Sequence, residues 1–115
     1  MAARQRLICA STDLPERGAR RFEVSLAGEN APAFAVRFNG RVRAYLNRCA
    51  HVPIELDWKP GEFFDFSGLY LVCAAHGALY APESGSCVAG RCDGRGLKPV
   101  PVVEDGGFVY LIEME

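Results

Sequence analysis

Residues 33–46 read Ala-Phe-Ala-Val-Arg-Phe-Asn-Gly-Arg-Val-Arg-Ala-Tyr-Leu, and this stretch predicts an antiparallel β-hairpin. The dipeptide Asn39-Gly40 is the preferred sequence of a two-residue type I′ turn, because both positions of that turn need a positive φ. Apolar residues alternate on both sides of the turn, at Phe34, Val36, Phe38, Val42, Ala44 and Leu46. This alternation predicts two strands, each with one apolar face directed at a core.

The rest of the chain is also rich in short strand patterns. Further strands are predicted at Arg6–Ala10, Arg21–Ala27, Leu69–Cys73, Ala78–Ala81, Val100–Val103 and Phe108–Glu113. Asp105-Gly106-Gly107 predicts the turn between the last two, and the best helical candidate is a single turn near Pro53–Trp58. Seven prolines and 12 glycines lie between the short strands. The pattern predicts an all-β fold, either an antiparallel sandwich or a small barrel.

Length and composition indicate one globular domain over residues 1–115. Half of the residues are apolar and 23% are charged, which argues against disorder. The formal net charge of −1 makes sequence-independent nucleic-acid binding a poor prediction. The longest apolar run, Leu69–Ala75, is too short to span a bilayer, and Met1–Arg6 is not followed by the apolar region of a secretory signal. We therefore expect a cytoplasmic protein without a membrane anchor.

The cysteines and histidines form the most informative pattern. The five cysteines are an odd number, which argues against a disulfide scaffold and favours thiols that bind a metal. Both histidines lie within three residues of a cysteine, as Cys49-Ala50-His51 and Cys73-Ala74-Ala75-His76. Because each pair follows a predicted strand, two loops can hold one metal centre between them. This pattern leaves four interpretations open: a zinc site, a dinuclear centre, a Cys/His nucleophile pair, and unrelated buried cysteines beside histidines that bind no metal.

Cys49-x-His51 with Cys73-x-x-His76-Gly77 resembles the cluster-binding motif of Rieske [2Fe–2S] proteins. The stretch 76–85, with Tyr80 and Gly85, is similar to the second cluster loop of that family. Residues 90–92 and 97–102 are similar to the loop and closing strand that follow it. The resemblance extends over about residues 33–113, which is most of the chain.

The resemblance implies one [2Fe–2S] cluster in a cluster-binding subdomain of approximately residues 47–92. Its ligands would be the thiolates of Cys49 and Cys73 on one iron and the imidazoles of His51 and His76 on the other. Gly77 and Tyr80 would support the cluster from the surrounding loop, Tyr80 by donating to a cluster cysteine. Ala78 stands where high-potential members have a serine donor, so we expect a potential in the lower half of the Rieske range, and a value above about +150 mV would contradict this.

The same resemblance implies a soluble electron carrier rather than an enzyme. Such a carrier passes one electron from a reductase to a terminal acceptor such as an oxygenase, and it has no small-molecule substrate of its own. Two alternatives stay open: a small redox subunit or redox-sensing module of a larger complex, and a zinc-stabilised structural module. A colourless protein without sulfide would indicate the zinc module.

Two further features have more than one interpretation. The segment Val52–Val72 contains Trp58 and three phenylalanines among four acidic residues. We expect these aromatic side chains to pack beneath the cluster loops; the alternative is an acidic, partly apolar docking surface for a redox partner. Cys87 and Cys92 are expected to be packing residues, with a disulfide or a redox-sensing pair as the alternative. Cys9 is expected in the core of the first strand.

Overall fold

The structure is a computed structural model that describes residues 3–26, 28–48, 55–57, 59, 61–74, 77–90 and 95–114. These residues contain nine strands and one short 3₁₀ helix, Ser11–Asp13. The strands are β1 Ala3–Ala10, β2 Ala19–Leu26, β3 Glu29–Phe38, β4 Arg41–Leu46, β5 Leu71–Val72, β6 Leu79–Tyr80, β7 Cys87–Ala89, β8 Val102–Asp105 and β9 Phe108–Met114. They form three antiparallel sheets with the orders β1-β9-β8, β2-β3-β4 and β5-β6-β7. The all-β prediction is therefore confirmed.

The hairpin of β3 and β4 has the predicted turn. Asn39 and Gly40 have φ values of 53° and 78°, and the strands close around them with Phe38 opposite Arg41. The Glu16 carboxylate accepts hydrogen bonds from both turn amides, at 2.7 Å from Asn39 N and 2.9 Å from Gly40 N. The hydrogen bond from Gly40, which has the larger effect, and the one from Asn39 hold the pKa of Glu16 below its ordinary value. The turn is thus fixed both by its own sequence and by a carboxylate from the preceding loop.

Strand β3 lies between two hydrophobic cores. Phe34 and Val36 point into the first core, together with residues of the β5-β6-β7 region. Ala33 and Ala35 point to the opposite face, into a second core formed with β1, β2, β4 and β9. All four side chains are almost completely buried. The large side chains of β3 therefore fill the core on the side of the candidate metal centre, and the small alanines allow the sheet on the other side to pack closely.

The chain segment before β8 joins the sheets. Leu46 N donates to Lys98 O at 2.9 Å, and Val100 N donates to Ala44 O at 2.9 Å. Because Val100 forms this hydrogen bond with Ala44 of β4, β8 begins at Val102, two residues later than predicted. The turn that connects β8 to β9 is as predicted, with φ values of 60° at Gly106 and 89° at Gly107.

The first three strands begin earlier than predicted, at Ala3, Ala19 and Glu29, because their pairing extends beyond the apolar pattern. The short third sheet also differs from the prediction. The predicted strands Leu69–Cys73 and Ala78–Ala81 shorten to β5 and β6, since the residues at their inner ends form the turn between them. The three-residue strand β7 was not predicted because it is too short to show alternation. Residues 55–57 of the predicted helical turn are not helical, and the rest of that turn lies outside the described residues. In the described ranges, no helix is long and apolar enough to cross a membrane.

A charged cluster holds the hairpin end of the molecule together. Arg37 Nε donates to Leu14 O at 2.6 Å, and its two terminal nitrogens donate to the two carboxylate oxygens of Glu104 at 3.0 and 2.5 Å. This two-pronged geometry is the strong form of an Arg–carboxylate pair. The Arg37 guanidinium lowers the pKa of Glu104 from 4.5 to about 2. The cluster ties the loop before β2, strand β3 and strand β8 at one place.

The lowered pKa predicts a pH-dependent contribution to stability. Glu104→Gln should lower the free energy of unfolding at pH 7 by about 1–2 kcal/mol, because it removes the charge from a partly buried pair. The larger free energy of unfolding of the wild type is fully present above 4.5, the ordinary pKa of this carboxyl, and is lost as the pH falls toward about 2. Denaturant unfolding of both proteins at pH 7 and at about pH 3 should show the difference shrinking.

Glu113→Gln is the matched control, because Glu113 pairs with Arg6 at 3.4 Å with half of the Arg6 side chain exposed. That pair should contribute less than about 0.5 kcal/mol at either pH. A Glu104→Gln difference that is equal at both pH values would contradict the assigned role of the ion pair.

Candidate metal centre

The second Cys/His motif begins at the end of β5, in a tight turn. Cys73 N donates to Ala78 O at 2.9 Å, and Gly77 N donates back to Cys73 O at 2.8 Å. Gly77 closes this turn with a φ of 71°, a conformation that side-chain-bearing residues rarely adopt. The predicted role of Gly77 in shaping the loop therefore has a direct backbone basis. His76 lies outside the described residues.

Cys73 has surroundings that suit a metal-binding thiolate. Its side chain is fully buried and is a thiol rather than half of a disulfide. It belongs to the first hydrophobic core, together with Leu56, Phe63 and Tyr80. A soft thiolate in a site that excludes water is the kind of ligand that iron–sulfur clusters use. The described part of the site therefore fits a cluster; Cys49 and His51, like His76, lie outside the described residues.

The residues after the turn line the same buried region. Tyr80 is completely buried in β6, opposite Leu71 of β5, and shares the core of Cys73. Ala78 is also buried and carries no hydrogen-bond donor on its side chain. The donation from Tyr80 to a cluster cysteine stays a prediction.

A third segment packs against the cysteine turn. Gly90, which follows β7, approaches Ala78 so closely that a Cβ atom on it would lie 2.7 Å from the Ala78 Cα. Cys87 at the start of β7 is disulfide-bonded, so the expectation that it is only a packing residue is wrong. Cys92 lies outside the described residues. Cys9 is confirmed as a core residue of β1, where burial raises the pKa of its thiol.

Sequence reasoning missed a buried polar residue just before the first motif. Asn47 directly follows β4 and is 1% exposed. Its Oδ1 accepts from Leu56 N at 2.8 Å, and its Nδ2 donates to Asp57 Oδ1 at 3.1 Å. Leu56 O in turn accepts from Ala74 N at 3.0 Å. No pattern marks such a residue, since an isolated asparagine after a strand is an ordinary turn signal.

The phenylalanines of the aromatic segment differ in burial. Phe63 is buried and stacks on Phe34, with 4.0 Å between ring centroids, and Phe64 stacks on Phe38 at 6.3 Å. Phe66 is fully exposed at the turn of the 63–72 hairpin. Phe63 therefore packs in the core that contains Cys73, and Phe64 packs against that core, whereas Trp58 lies outside the described residues.

Comparison with known proteins gives the family. The family model described as "Rieske [2Fe-2S] domain" matches residues 5–104, which is most of the chain. The chain belongs to the Rieske [2Fe–2S] domain family. A [2Fe–2S] cluster is accordingly its cofactor, as the motif predicted. A search of curated proteins gave no match.

Solved structures of Rieske proteins have the same fold. The ferredoxin of carbazole 1,9a-dioxygenase from Nocardioides aromaticivorans IC177 is 20% identical, with a TM-score of 0.72 over 96% of this chain and 98% of that one. A complex of reduced oxygenase and oxidized ferredoxin in carbazole 1,9a-dioxygenase matches at 23% identity and a TM-score of 0.74, over 96% and 95%. The terminal oxygenase from Novosphingobium sp. KA1 matches at 24% identity and a TM-score of 0.70, over 98% of this Rieske chain but only 30% of the oxygenase.

The two glycines of the site should differ in their tolerance of a side chain. Gly77→Ala should lower the free energy of unfolding by about 1 kcal/mol, because it strains a positive φ but its Cβ meets no atom within 4 Å. Gly90→Ala should lower it by more than about 2 kcal/mol, because the new Cβ also collides with the Ala78 backbone. Thermal unfolding of the two variants beside the wild type measures this order. Equal destabilisation, or the reverse order, would contradict the close packing of Gly90 on the cysteine turn.

Proposed function

We propose that this Rieske protein is a cytoplasmic one-electron carrier, which takes an electron from a reductase and passes it to a terminal acceptor such as an oxygenase. The observation that supports the proposal most is the fully buried Cys73 thiol in a glycine-closed turn, in a chain of a [2Fe–2S]-binding family. A carrier needs only a redox centre and a surface for its partners. We propose that the chain has no catalytic residue and no small-molecule substrate.

Four side chains would hold the cluster. Cys49 and Cys73 would bind one iron as thiolates, and His51 and His76 the other as imidazoles. The bound cluster supplies a one-electron couple. The core around Cys73 keeps water away from its sulfur, and Ala78 offers no hydroxyl to stabilise the reduced state, which supports a potential in the lower half of the Rieske range. We propose residues 47–92 as the cluster-binding part of a single domain.

The surface beside the cysteine turn suits a passing partner. Ala74 and Gly77 are exposed on either side of the loop, and Val88 on the neighbouring strand β7 is half-exposed. These residues are small or apolar and carry no charge, so a partner can approach them without desolvating an ionic group. Among the structures of similar fold are complexes of an oxygenase and a ferredoxin of carbazole 1,9a-dioxygenase. We propose the same class of partner for this chain.

The proposal is tested on anaerobically purified protein by measuring iron, sulfide and zinc and recording EPR after dithionite reduction. Two irons and two sulfides per chain with a rhombic Rieske-type signal are expected. Substitution of Cys49, His51, Cys73 or His76 by alanine should abolish that signal. Cys9→Ala, at a cysteine buried in the other core, should leave it intact. Zinc without sulfide would overturn the proposal and favour the zinc-stabilised module.

A stable complex with one partner chain would instead favour the redox-subunit alternative. Size-exclusion chromatography of the native protein from its source distinguishes a free carrier from a subunit. A carrier elutes without a second kind of chain, whereas a subunit or sensing module elutes with its partner.

The two exposed apolar sites should differ in electron transfer. Phe66 lies at the turn of its hairpin, just after Asp65, whose N–H donates to Tyr70 O across the hairpin. Cys73 lies three residues farther along the returning strand than Tyr70, which is about 10 Å. Phe66→Glu should therefore leave the rate of reduction by a ferredoxin reductase within about twofold of wild type. Val88→Glu should slow it about fivefold or more, since a charge in a docking core costs more than about 1 kcal/mol. Stopped-flow absorbance measures both rates, and a slower Phe66→Glu with an unchanged Val88→Glu would favour docking through the aromatic segment.

A further inference from the structure

We infer that Asn47 is the positioning residue that holds the two cluster-binding loops in register; this inference rests on the proposed function. Asn47 lies two residues before Cys49, and Ala74 immediately follows Cys73. A continuous path of hydrogen bonds joins these two positions through Leu56. The side chain of Asn47 accepts from Leu56 N, and Leu56 O accepts from Ala74 N, at 2.8 and 3.0 Å.

Asn47 is itself fixed to the central sheet. Its backbone N donates to Pro32 O of β3 at 2.9 Å, and its side chain is almost completely buried. Both polar atoms of its amide are used, since Nδ2 donates to Asp57 Oδ1. These contacts therefore fix the start of the first-motif loop relative to β3 and, through Leu56, fix the start of the second-motif loop relative to the first.

Asp57 completes this arrangement on the far side of Asn47. Its Oδ2 accepts from Gly61 N at 3.0 Å and lies 3.6 Å from Arg21 Nε. The Asp57 side chain is only 3% exposed, so its orientation is set by these partners. An amide at position 47 is required here because one atom must accept from Leu56 while the other donates to a carboxylate. Alanine would leave the buried Leu56 N–H and one Asp57 oxygen without their partners.

The experiment compares the holoprotein with the variants Asn47→Ala and Asn47→Asp/Asp57→Asn. The double variant exchanges the two side chains, so that the carboxylate at position 47 accepts from Leu56 N and from the new amide at position 57, whose oxygen accepts from Gly61 N. EPR g-values, the midpoint potential and the rate of iron loss to a chelator are measured. Asn30→Ala, at an exposed asparagine of β3, is the matched control.

Asn47→Ala should change the g-values and the potential and should speed iron loss about tenfold or more, whereas the exchanged pair should return the g-values and the iron-loss rate toward wild type. A cluster with wild-type g-values, potential and iron-loss rate in Asn47→Ala would overturn the inference, even if that variant unfolds more easily. Should Asn47→Ala not fold, an exchanged pair that folds but loses iron about tenfold faster than wild type, with altered g-values, would overturn it as well. A wild type without iron and sulfide would contradict the proposed function instead, so the two failures are distinguishable.

Discussion

The burial of β3 on both faces is the constraint on which the rest of the structure depends. One face must accept the aromatic core that surrounds Cys73, and the other must accept β1 and β9. The strand meets both demands by alternating large residues (Phe34, Val36) with alanines (Ala33, Ala35). Because the two cores share this strand, the β5-β6-β7 region with Cys73 packs directly onto β3.

Much of the fold was predictable where local chemistry and tertiary structure agree. The Asn39-Gly40 hairpin is specified by its own turn and by alternation, and it formed as predicted. Prediction failed where a long-range partner decides the outcome. Val100 pairs with β4 because of a neighbour more than 50 residues away in sequence, and β7 exists only because β6 is beside it. Neither partner leaves a mark on the local sequence.

The candidate site divides in the same way. Two thiols and two imidazoles at short spacings are recognisable because few kinds of chemistry use that set of ligands. Asn47 and Asp57 are not recognisable, because their importance comes from burial and from the backbone groups that they satisfy. The state of Cys87 was also not predictable, since its spacing in the sequence could not decide between a packing residue and a disulfide. Candidate ligands can thus be recognised from their residue types, whereas the residues that support them can be recognised only from the folded structure.

The charged cluster around Arg37 lies near the Asn39-Gly40 turn, while β4 runs from that turn to Asn47 over six strand residues, or about 20 Å. The two ends of β4 therefore lie beside different interactions, an ion pair near the turn and buried hydrogen bonds at Asn47. The central hairpin and the charged cluster are held by contacts between protein groups alone. The hydrogen bond from Asn47 N to Pro32 O is also of this kind, so the attachment of this position to β3 involves no cofactor atom.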